Sequence, residues 1–363
     1  MQVVAIFGVM YDVILAFITS FALTYFAIPS IISIARKKNL FDEPGERRSH
    51  TVRTPSLGGI GIFAGTLFSI IMWTPFQYFN DLQYILCSFI IIFLIGAKDD
   101  IDPISPTKKF IGELLAAAIL VFRANVRLTS LYGIFGVGEL PYIVSVVLSI
   151  FTIIVIINAF NLIDGINGLS ASIGILISVT LGVWFLKVGE GQVAIELAMV
   201  AFALTGSLVA FLKFNITPAK IFMGDTGALL LGLVCSILTI QFIELHKAIG
   251  DSPYAFKAAP SIAISILILP LFDTLRVFTL RAAKGKSPFY PDRSHIHHLL
   301  IDAGLTHMQA TAVLVLVNMA FIALAVSLQH IGNLYLLLVL VAVAIVLSAF
   351  LHRVSISKQT ARK

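Results

Sequence analysis

Residues 142–168 read YIVSVVLSIFTIIVIINAFNLIDGING, an apolar run that ends in a polar segment. The apolar part, which we place at 141–159, is about as long as an α-helix needs to cross a bilayer, roughly 17 to 25 residues. In the segment that closes it, a polar side chain recurs every third residue, at Asn158, Asn161, Asp164 and Asn167. Ionisable groups are costly inside a bilayer, so an acid at the end of a span indicates a polar site at the membrane surface.

The same apolar pattern recurs along the whole chain of 363 residues. Hydrophobic residues make up 58% of the chain and charged residues 12%, and the mean hydropathy is +0.99. One soluble core could not hide this much apolar surface, so the composition indicates an all-α polytopic membrane protein. Since no internal repeat or linker is visible, residues 1–363 form one predicted domain. We predict about ten or eleven transmembrane helices, at 10–34, 57–75, 83–98, 109–123, 141–159, 168–186, 193–214, 226–243, 260–280, 307–328 and 332–352.

Basic residues are distributed unevenly between the loops. If the first span runs inward, 20 of the 25 Lys and Arg residues fall on one side of the membrane and 5 on the other. Because basic loops stay in the cytoplasm, we place the amino terminus outside and the carboxyl terminus inside. The opening residues lack the features of a cleaved secretory leader, so we interpret them as the approach to a retained first span. This bias accounts for the positive charge, and we expect no nucleic-acid partner.

Two further acidic motifs lie on the predicted cytoplasmic side. Asp99 and Asp100 close one apolar run, Lys109 follows across a short loop, and Asp225 stands in FMGDTG at 222–227. Adjacent carboxylates raise each other's pKa unless a cation offsets them, so the pair favours a metal, a base or a basic partner. A solvated loop with topology-setting charges is the alternative for this pair. Asp225 could either cap the next helix or hold a hard cation such as Mg²⁺.

The segment 158–168 also has two interpretations. Its amides and carboxyl could bind a base or a ribose, because an amide group both donates and accepts hydrogen bonds. Asn and Asp also favour turns and helix caps, so a turn before the next helix is the alternative.

The longest predicted inner loop, 281–305, contains DRSHIHH at 292–298. This loop suits a phosphate or sugar hydroxyls, with a solvated loop as the alternative, and a zinc site would lack supporting Cys or His residues nearby. Its candidate side chains are Arg293, His295, His297 and His298. Asp273 and Arg276 lie one helical turn apart, so they either neutralise each other or belong to the site.

Three other features have structural interpretations. The glycines of GGIGIFAG at 58–65 resemble a phosphate loop, but no strand precedes them, so we favour close helix packing. Cys87 and Cys235 fall inside predicted spans, where packing is expected rather than a disulfide. The outer stretch 129–141 alternates apolar residues with breaks at glycines, which predicts a small β-hairpin.

Taken in chain order, these motifs resemble one family, the polyprenyl-phosphate N-acetylhexosamine-1-phosphate transferases of glycosyltransferase family 4, in its WecA and TagO branch. The resemblance covers nearly the whole chain. It includes PLFDTLR at 270–276, and ERRSH at 46–50 and PSLGG at 55–59, which resemble the first cytoplasmic loop and the second span of the family. The related transferases for phospho-N-acetylmuramoyl-pentapeptide have three consecutive histidines, whereas this chain has HIHH, which argues against that substrate.

The resemblance implies a phosphotransferase in a bacterial inner membrane, with its active site in the cytoplasm. It would transfer an N-acetylhexosamine-1-phosphate, most plausibly that of N-acetylglucosamine, from a UDP-sugar to undecaprenyl phosphate. UMP would be released, and the lipid-linked sugar would start a surface polysaccharide such as the O-antigen of lipopolysaccharide or a teichoic acid. The sequence leaves open which N-acetylhexosamine is used, which glycan follows and the oligomeric state, a homodimer included.

The chemistry of two phosphates that react assigns the roles. Asp99, Asp100 and Lys109 are the expected catalytic residues, and the sequence leaves open whether Asp99 or Asp100 acts as the base or helps to hold the metal. Asp225 is the expected ligand of Mg²⁺, for which Mn²⁺ could substitute. Asn158, Asn161, Asp164 and Asn167 would bind the nucleoside, and Arg293, His295, His297 and His298 the diphosphate and sugar. A transporter of an anionic solute is the alternative, although polar residues at mid-span and related halves are missing.

Overall fold

Thirteen α-helices make up most of the computed structural model, which describes residues 2–41, 54–75, 81–189, 192–250, 252–287 and 294–361. They are α1 (Gln2–Lys37), α2 (Gly58–Trp73), α3 (Leu82–Ile101), α4 (Pro106–Arg123), α5 (Tyr142–Ile163), α6 (Leu169–Val188), α7 (Gln192–Asn215), α8 (Gly224–Ile249), α9 (Ala259–Ile266), α10 (Ile268–Ala283), α11 (Ile296–Asp302), α12 (His307–Ser327) and α13 (Asn333–Ala361).

Every predicted span falls on a helix, and the span at 260–280 is divided between α9 and α10, which are bent by 78°. Seven described helices are long and apolar enough to cross a membrane, or eight if the bent pair is one span. They are α1, α5, α6, α7, α8, α12 and α13. The protein is therefore an all-α, multi-pass membrane protein, but the count of ten or eleven spans is not confirmed. Helix α2 has 16 residues, short for a span, and α4 carries charges at both ends.

The predicted β-hairpin at 129–141 is not confirmed as a pair of strands. An isolated antiparallel bridge joins Ser130 to Glu139, and the amide of Leu131 donates to the carbonyl of Gly138 over 2.9 Å. Between them lies a short 3₁₀ turn, Ile134–Gly136, flanked by a left-handed glycine. The chain therefore turns back on itself as a hairpin would, but the turn leaves too few paired residues for a strand.

Helix α8 lies at the centre of the described bundle, and α2, α3, α5 and α6 pack around it. Every residue from Thr226 to Ile240 is buried. Small residues allow this close packing: a Cβ on Gly232 would lie 2.5 Å from the Cα of Ile157 in α5, and one on Gly96 of α3 would lie 2.5 Å from the Cα of Thr226. Helices approach each other this closely where a glycine replaces a larger side chain.

The glycines of α2 serve the same purpose, as the packing interpretation predicted. A Cβ on Gly59 would lie 2.6 Å from the Cα of Gly227, and one on Gly65 would lie 2.8 Å from the carbonyl oxygen of Ser20. The amides of Gly58 and Gly59 also donate to the carbonyls of residues 222 and 223, over 3.0 and 2.8 Å. The start of α2 thereby holds the segment that leads into α8. Cys87 and Cys235 are both free, as predicted.

Candidate active site

The ends of α3 and α5, the start of α8 and the α5–α6 loop meet around an open cavity of about 680 Å³. Seven of the residues predicted for the site line it: Asp99, Asp100, Asn161, Asp164, Asn167, Asp225 and His298. Other lining residues were not predicted from their sequence context, including Asn39, Phe41, Ser56 and Phe222. Of these, Phe222 had a signal, since it opens the FMGDTG motif.

A lysine joins two of the predicted carboxylates. The Nζ atom of Lys109, in the first turns of α4, donates to Oδ2 of Asp225 and, over 3.2 Å, to Oδ2 of Asp99. The other carboxylate oxygen of Asp225 accepts from Nδ2 of Asn161 over 2.6 Å. All these side chains are partly buried, so screening by water is reduced. One positive charge is therefore shared between two acids at the edge of the cavity.

Asp100 holds the start of α8. Its Oδ1 accepts from the amide of Asp225 over 2.7 Å, and its Oδ2 accepts from the amide and the hydroxyl of Thr226 over 3.0 and 2.5 Å. An anion is stabilised at a helix N-terminus because the first amides lack partners within the helix. A Cβ on Gly224 would lie 2.7 Å from both carboxylate oxygens of Asp100. The helix cap that Asp225 could have provided is thus supplied by Asp100, which leaves the Asp225 carboxylate facing the cavity.

The segment 158–168 forms the predicted turn, and several of its polar residues line the cavity. Gly168 is left-handed, with φ +78°, and begins the turn into α6, while its amide donates to Oδ1 of Asn215 over 2.6 Å. Asn167 braces this turn through its Nδ2, which donates to the hydroxyl of Thr217 over 2.9 Å. Asp164 lines the cavity, and burial is the main reason that its pKa is raised to about 7, with the carboxylate of Asp225 raising it further. The turn therefore presents polar groups to the cavity.

Asn158 takes a different position from the other amides. It is not among the described residues that line the cavity. Its Nδ2 donates to Oε2 of Glu113 in α4 over 2.6 Å and to the carbonyl of Ile154 over 3.0 Å. Glu113 was missed by the sequence analysis, although an acid four residues after Lys109 within an apolar run was a usable signal.

The predicted inner loop 281–305 contains α11, and Asp273 of α10 holds its start. Oδ2 of Asp273 lies 2.8 Å from Nδ1 of His295, and Oδ1 accepts from the amide of Ile296 over 2.9 Å. Arg276 lies 3.7 Å from the Asp273 carboxylate and donates to the carbonyl of Ser294 over 2.6 Å. The predicted neutralising pair is therefore formed, and it also fixes the histidine segment.

The three histidines lie together beside the α5–α6 loop. The rings of His297 and His298 have centroids 4.2 Å apart, and His298 lines the cavity. A Cβ on Gly165 would lie 2.8 Å from Cε1 of His297, so this glycine gives the imidazole room. All three imidazoles are buried, which excludes the solvated-loop alternative for them. Arg293 lies outside the described residues.

A cavity at the ends of several helices, bordered by acids, a lysine, amides and histidines, is typical of one class of protein: a membrane enzyme that handles phosphate-bearing substrates. Residues 82–243, which include the acids at 99, 100, 164 and 225, match the model of glycosyl transferase family 4.

Curated relatives extend this match over most of the chain. The undecaprenyl-phosphate alpha-N-acetylglucosaminyl 1-phosphate transferase of Escherichia coli O157:H7 is 31% identical over 328 residues, which cover 87% of this chain and 84% of that protein. The decaprenyl-phosphate N-acetylglucosaminephosphotransferase of Mycolicibacterium smegmatis is 28% identical over 316 residues, covering 82% and 78%. The chain belongs to glycosyl transferase family 4, which confirms the resemblance found in the sequence.

Proposed function

We propose that this protein transfers N-acetylglucosamine-1-phosphate from UDP-N-acetylglucosamine to undecaprenyl phosphate and releases UMP. The proposal rests on one observation: Asp99 and Asp225 share the ammonium group of Lys109. These residues lie at the edge of a cavity that is large enough for a nucleotide sugar. The names of the relatives from Escherichia coli and Mycolicibacterium smegmatis both support the sugar, and they support a polyprenyl phosphate acceptor, which is undecaprenyl phosphate in the first name and decaprenyl phosphate in the second. The lipid-linked sugar would then start a cell-surface polysaccharide.

The reaction brings two anions together, so the protein must neutralise charge and align the groups. An oxygen of the lipid phosphate attacks the β-phosphorus of the donor, and the bond from that phosphorus to the bridging oxygen breaks, so that UMP leaves. Lys109 supplies a positive charge beside this point.

The two neighbouring acids have different tasks in this proposal. Both carboxylate oxygens of Asp100 accept hydrogen bonds from the start of α8. We therefore assign Asp100 the role of positioning Asp225. Asp99 lines the cavity and accepts from Lys109 and from the amide of Ile104. Its Oδ2 is held by the side chain of Lys109 rather than by the start of a helix, so we assign Asp99 the acceptance of a proton from the lipid phosphate.

Mg²⁺ fits the donor groups at this position. Among the described residues, no three His, Cys, Asp or Glu side chains form a metal cluster. Mg²⁺, however, is often held by one or two carboxylates together with substrate phosphates and water. Asp225 and the neighbouring amide group of Asn161 would hold it, and Mn²⁺ would accept the same oxygen ligands. When bound, the cation would polarise the diphosphate and neutralise its developing charge.

Substrate recognition follows from the walls of the cavity. Asn161, Asp164 and Asn167 present amide and carboxyl groups suited to the uridine. His298, supported by His295 and His297, lies on the side where the diphosphate and sugar would be bound. The predicted topology, with 20 of the 25 basic residues inside, supports a cytoplasmic site in a bacterial inner membrane.

A second, apolar cavity of about 290 Å³ would receive part of the polyprenyl chain. It lies between α5, α8 and the bent pair α9 and α10, and its lining includes Thr152, Ala263 and Leu267. Phe151, which also lines it, is 62% exposed, so the cavity opens toward the lipid-facing surface. Because the polyprenyl chain already lies in hydrocarbon, this cavity would select it by close packing rather than by its removal from water.

The proposal is tested by incubating purified protein with Mg²⁺, undecaprenyl phosphate and a panel of UDP-sugars. We expect UMP to appear with UDP-N-acetylglucosamine and to require the lipid. Because one phosphoanhydride is exchanged for another, added UMP should drive the reaction backward. Release of UDP would show a sugar transferase instead, and release of no nucleotide would favour the transporter. If UMP forms only with another UDP-N-acetylhexosamine, the proposed reaction stands but the assignment of N-acetylglucosamine is wrong.

A further inference from the structure

Glu113 is a buried acid that the proposed reaction does not use. It lies in α4 with 2% of its surface exposed, and it is not among the described residues that line the active-site cavity. A carboxyl group inside an apolar bundle lowers stability unless it is hydrogen-bonded. Its side-chain partner is Nδ2 of Asn158, at 2.6 Å. The second N–H of this amide is used by the carbonyl of Ile154 over 3.0 Å, so the amide is held in one orientation.

This hydrogen bond joins the two helices that carry groups toward Asp225. In α4, Glu113 lies four residues after Lys109, and in α5, Asn158 lies three residues before Asn161. Residues three or four apart share one face of a helix. The two helices therefore face each other with two levels of contact. At the outer level, Lys109 and Asn161 hold the two oxygens of Asp225. One turn deeper, Glu113 and Asn158 bond directly.

We propose that Glu113 is a positioning residue, whose bond with Asn158 fixes α4 against α5 so that Lys109 and Asn161 converge on Asp225. The inference deepens the proposed function and rests on it. In this assignment neither Glu113 nor Asn158 contacts substrate. Asn158 therefore supports the site and does not bind the nucleoside, contrary to the prediction from the sequence. Supporting hydrogen bonds of this kind change activity by about 10- to 100-fold when they are removed from metal-dependent sites.

The test compares Glu113→Ala, Glu113→Gln and Asn158→Ala in the purified full-length protein, with kcat calculated per folded molecule. Glu113→Gln keeps an oxygen that accepts from Asn158, whereas both alanine variants remove the bond. We expect the alanine variants to lose about 10- to 100-fold in kcat, with the KM for undecaprenyl phosphate nearly unchanged, and Glu113→Gln to retain most activity. The double variant Glu113→Ala/Asn158→Ala should lose no more than the worse single variant, because the two residues form one contact.

A matched control is Glu196→Gln. Glu196 is also a buried acid, 4% exposed, but it lies near the opposite end of α7 from the site. Its variant should keep the kcat of the wild-type protein. If Glu113→Ala is unstable, Asn158→Ala tests the same bond from the other helix.

Three results would overturn the inference. One is wild-type kcat in both alanine variants, the second is an equal loss in Glu113→Gln and Glu113→Ala, and the third is additive loss in the double variant. The wild-type protein is assayed first for UMP release. A wild-type protein without this activity would contradict the proposed function, whereas active wild-type protein with unaffected variants would contradict the positioning role alone.

Discussion

Replacing Lys109 by methionine should separate catalysis from stability. The ammonium donates two charge-assisted hydrogen bonds, to Asp99 and Asp225. Such bonds contribute about 1.5 to 3 kcal/mol each when shielded from water. The three side chains here are 18%, 14% and 29% exposed, for Lys109, Asp99 and Asp225, so solvent screening lowers the contribution. We therefore expect the free energy of unfolding to fall by no more than about 2 kcal/mol.

The effect on catalysis should be much larger. Removing one preorganised group that stabilises charge in the transition state costs about 10²- to 10³-fold in kcat. Because the ammonium also occupies the Asp225 carboxylate, its loss should not raise the Mg²⁺ concentration that gives half-maximal activity. The assay is UMP release at saturating substrates over a range of Mg²⁺ concentrations.

Lys108→Met is the matched control, since Lys108 is the adjacent lysine and is exposed. Its kcat should equal that of the wild-type protein. Equal losses in the two variants would refute the assignment of Lys109, and so would wild-type kcat in Lys109→Met.

Four further predictions follow from the structure. Asp225→Asn should abolish UMP release while the protein stays folded, and an active variant would remove Asp225 as the metal ligand. Asp100→Ala should lower the free energy of unfolding by about 1 to 3 kcal/mol in a denaturation assay, because the start of α8 loses its charged cap; unchanged stability would contradict the capping contacts. Ala263→Trp should raise the KM for undecaprenyl phosphate but not for the UDP-sugar, and equal changes in both would contradict the assignment of the apolar cavity. In intact cells, a cysteine introduced at Gly136 should react with an impermeant reagent, because this position is predicted to lie outside, and one at Ser287 should not. Labelling at 287 would show that the predicted topology is wrong.

The helices were largely predictable because a helix in a membrane is set by its own apolar run. Each predicted span except the one at 260–280 lies on a single helix. Two features were not predicted: the bend between α9 and α10, and the absence of paired strands at 129–141. The bend between α9 and α10 lies at Leu267, three residues before Pro270, and a proline inside a helical run is a break signal that the predicted span at 260–280 did not use. The turn at 129–141 has the alternation of a hairpin, but its glycines adopt left-handed backbone and end the pairing.

The site was predictable as a set of residues but not as a set of contacts. Acids at the ends of spans mark a polar surface, which is why Asp99, Asp164 and Asp225 could be recognised from the sequence. The contacts of such acids could not be predicted, because they join distant parts of the chain. Asp100, for example, binds the start of α8, which lies 125 and 126 positions away. Glu113 could have been recognised as an acid within an apolar run, but its contact with Asn158 in another helix could not have been predicted.

Apolar runs and the order of the motifs identify a protein of membrane helices, its family, and the chemical groups that collect at the ends of those helices. Only the packed helices show that Lys109 is shared between two acids and that Asp100, rather than Asp225, caps α8. The difference is one of distance. Apolar periodicity acts over one helix, whereas a hydrogen bond requires atoms about 3 Å apart, and glycines such as Gly96 and Gly59 set how closely distant helices approach.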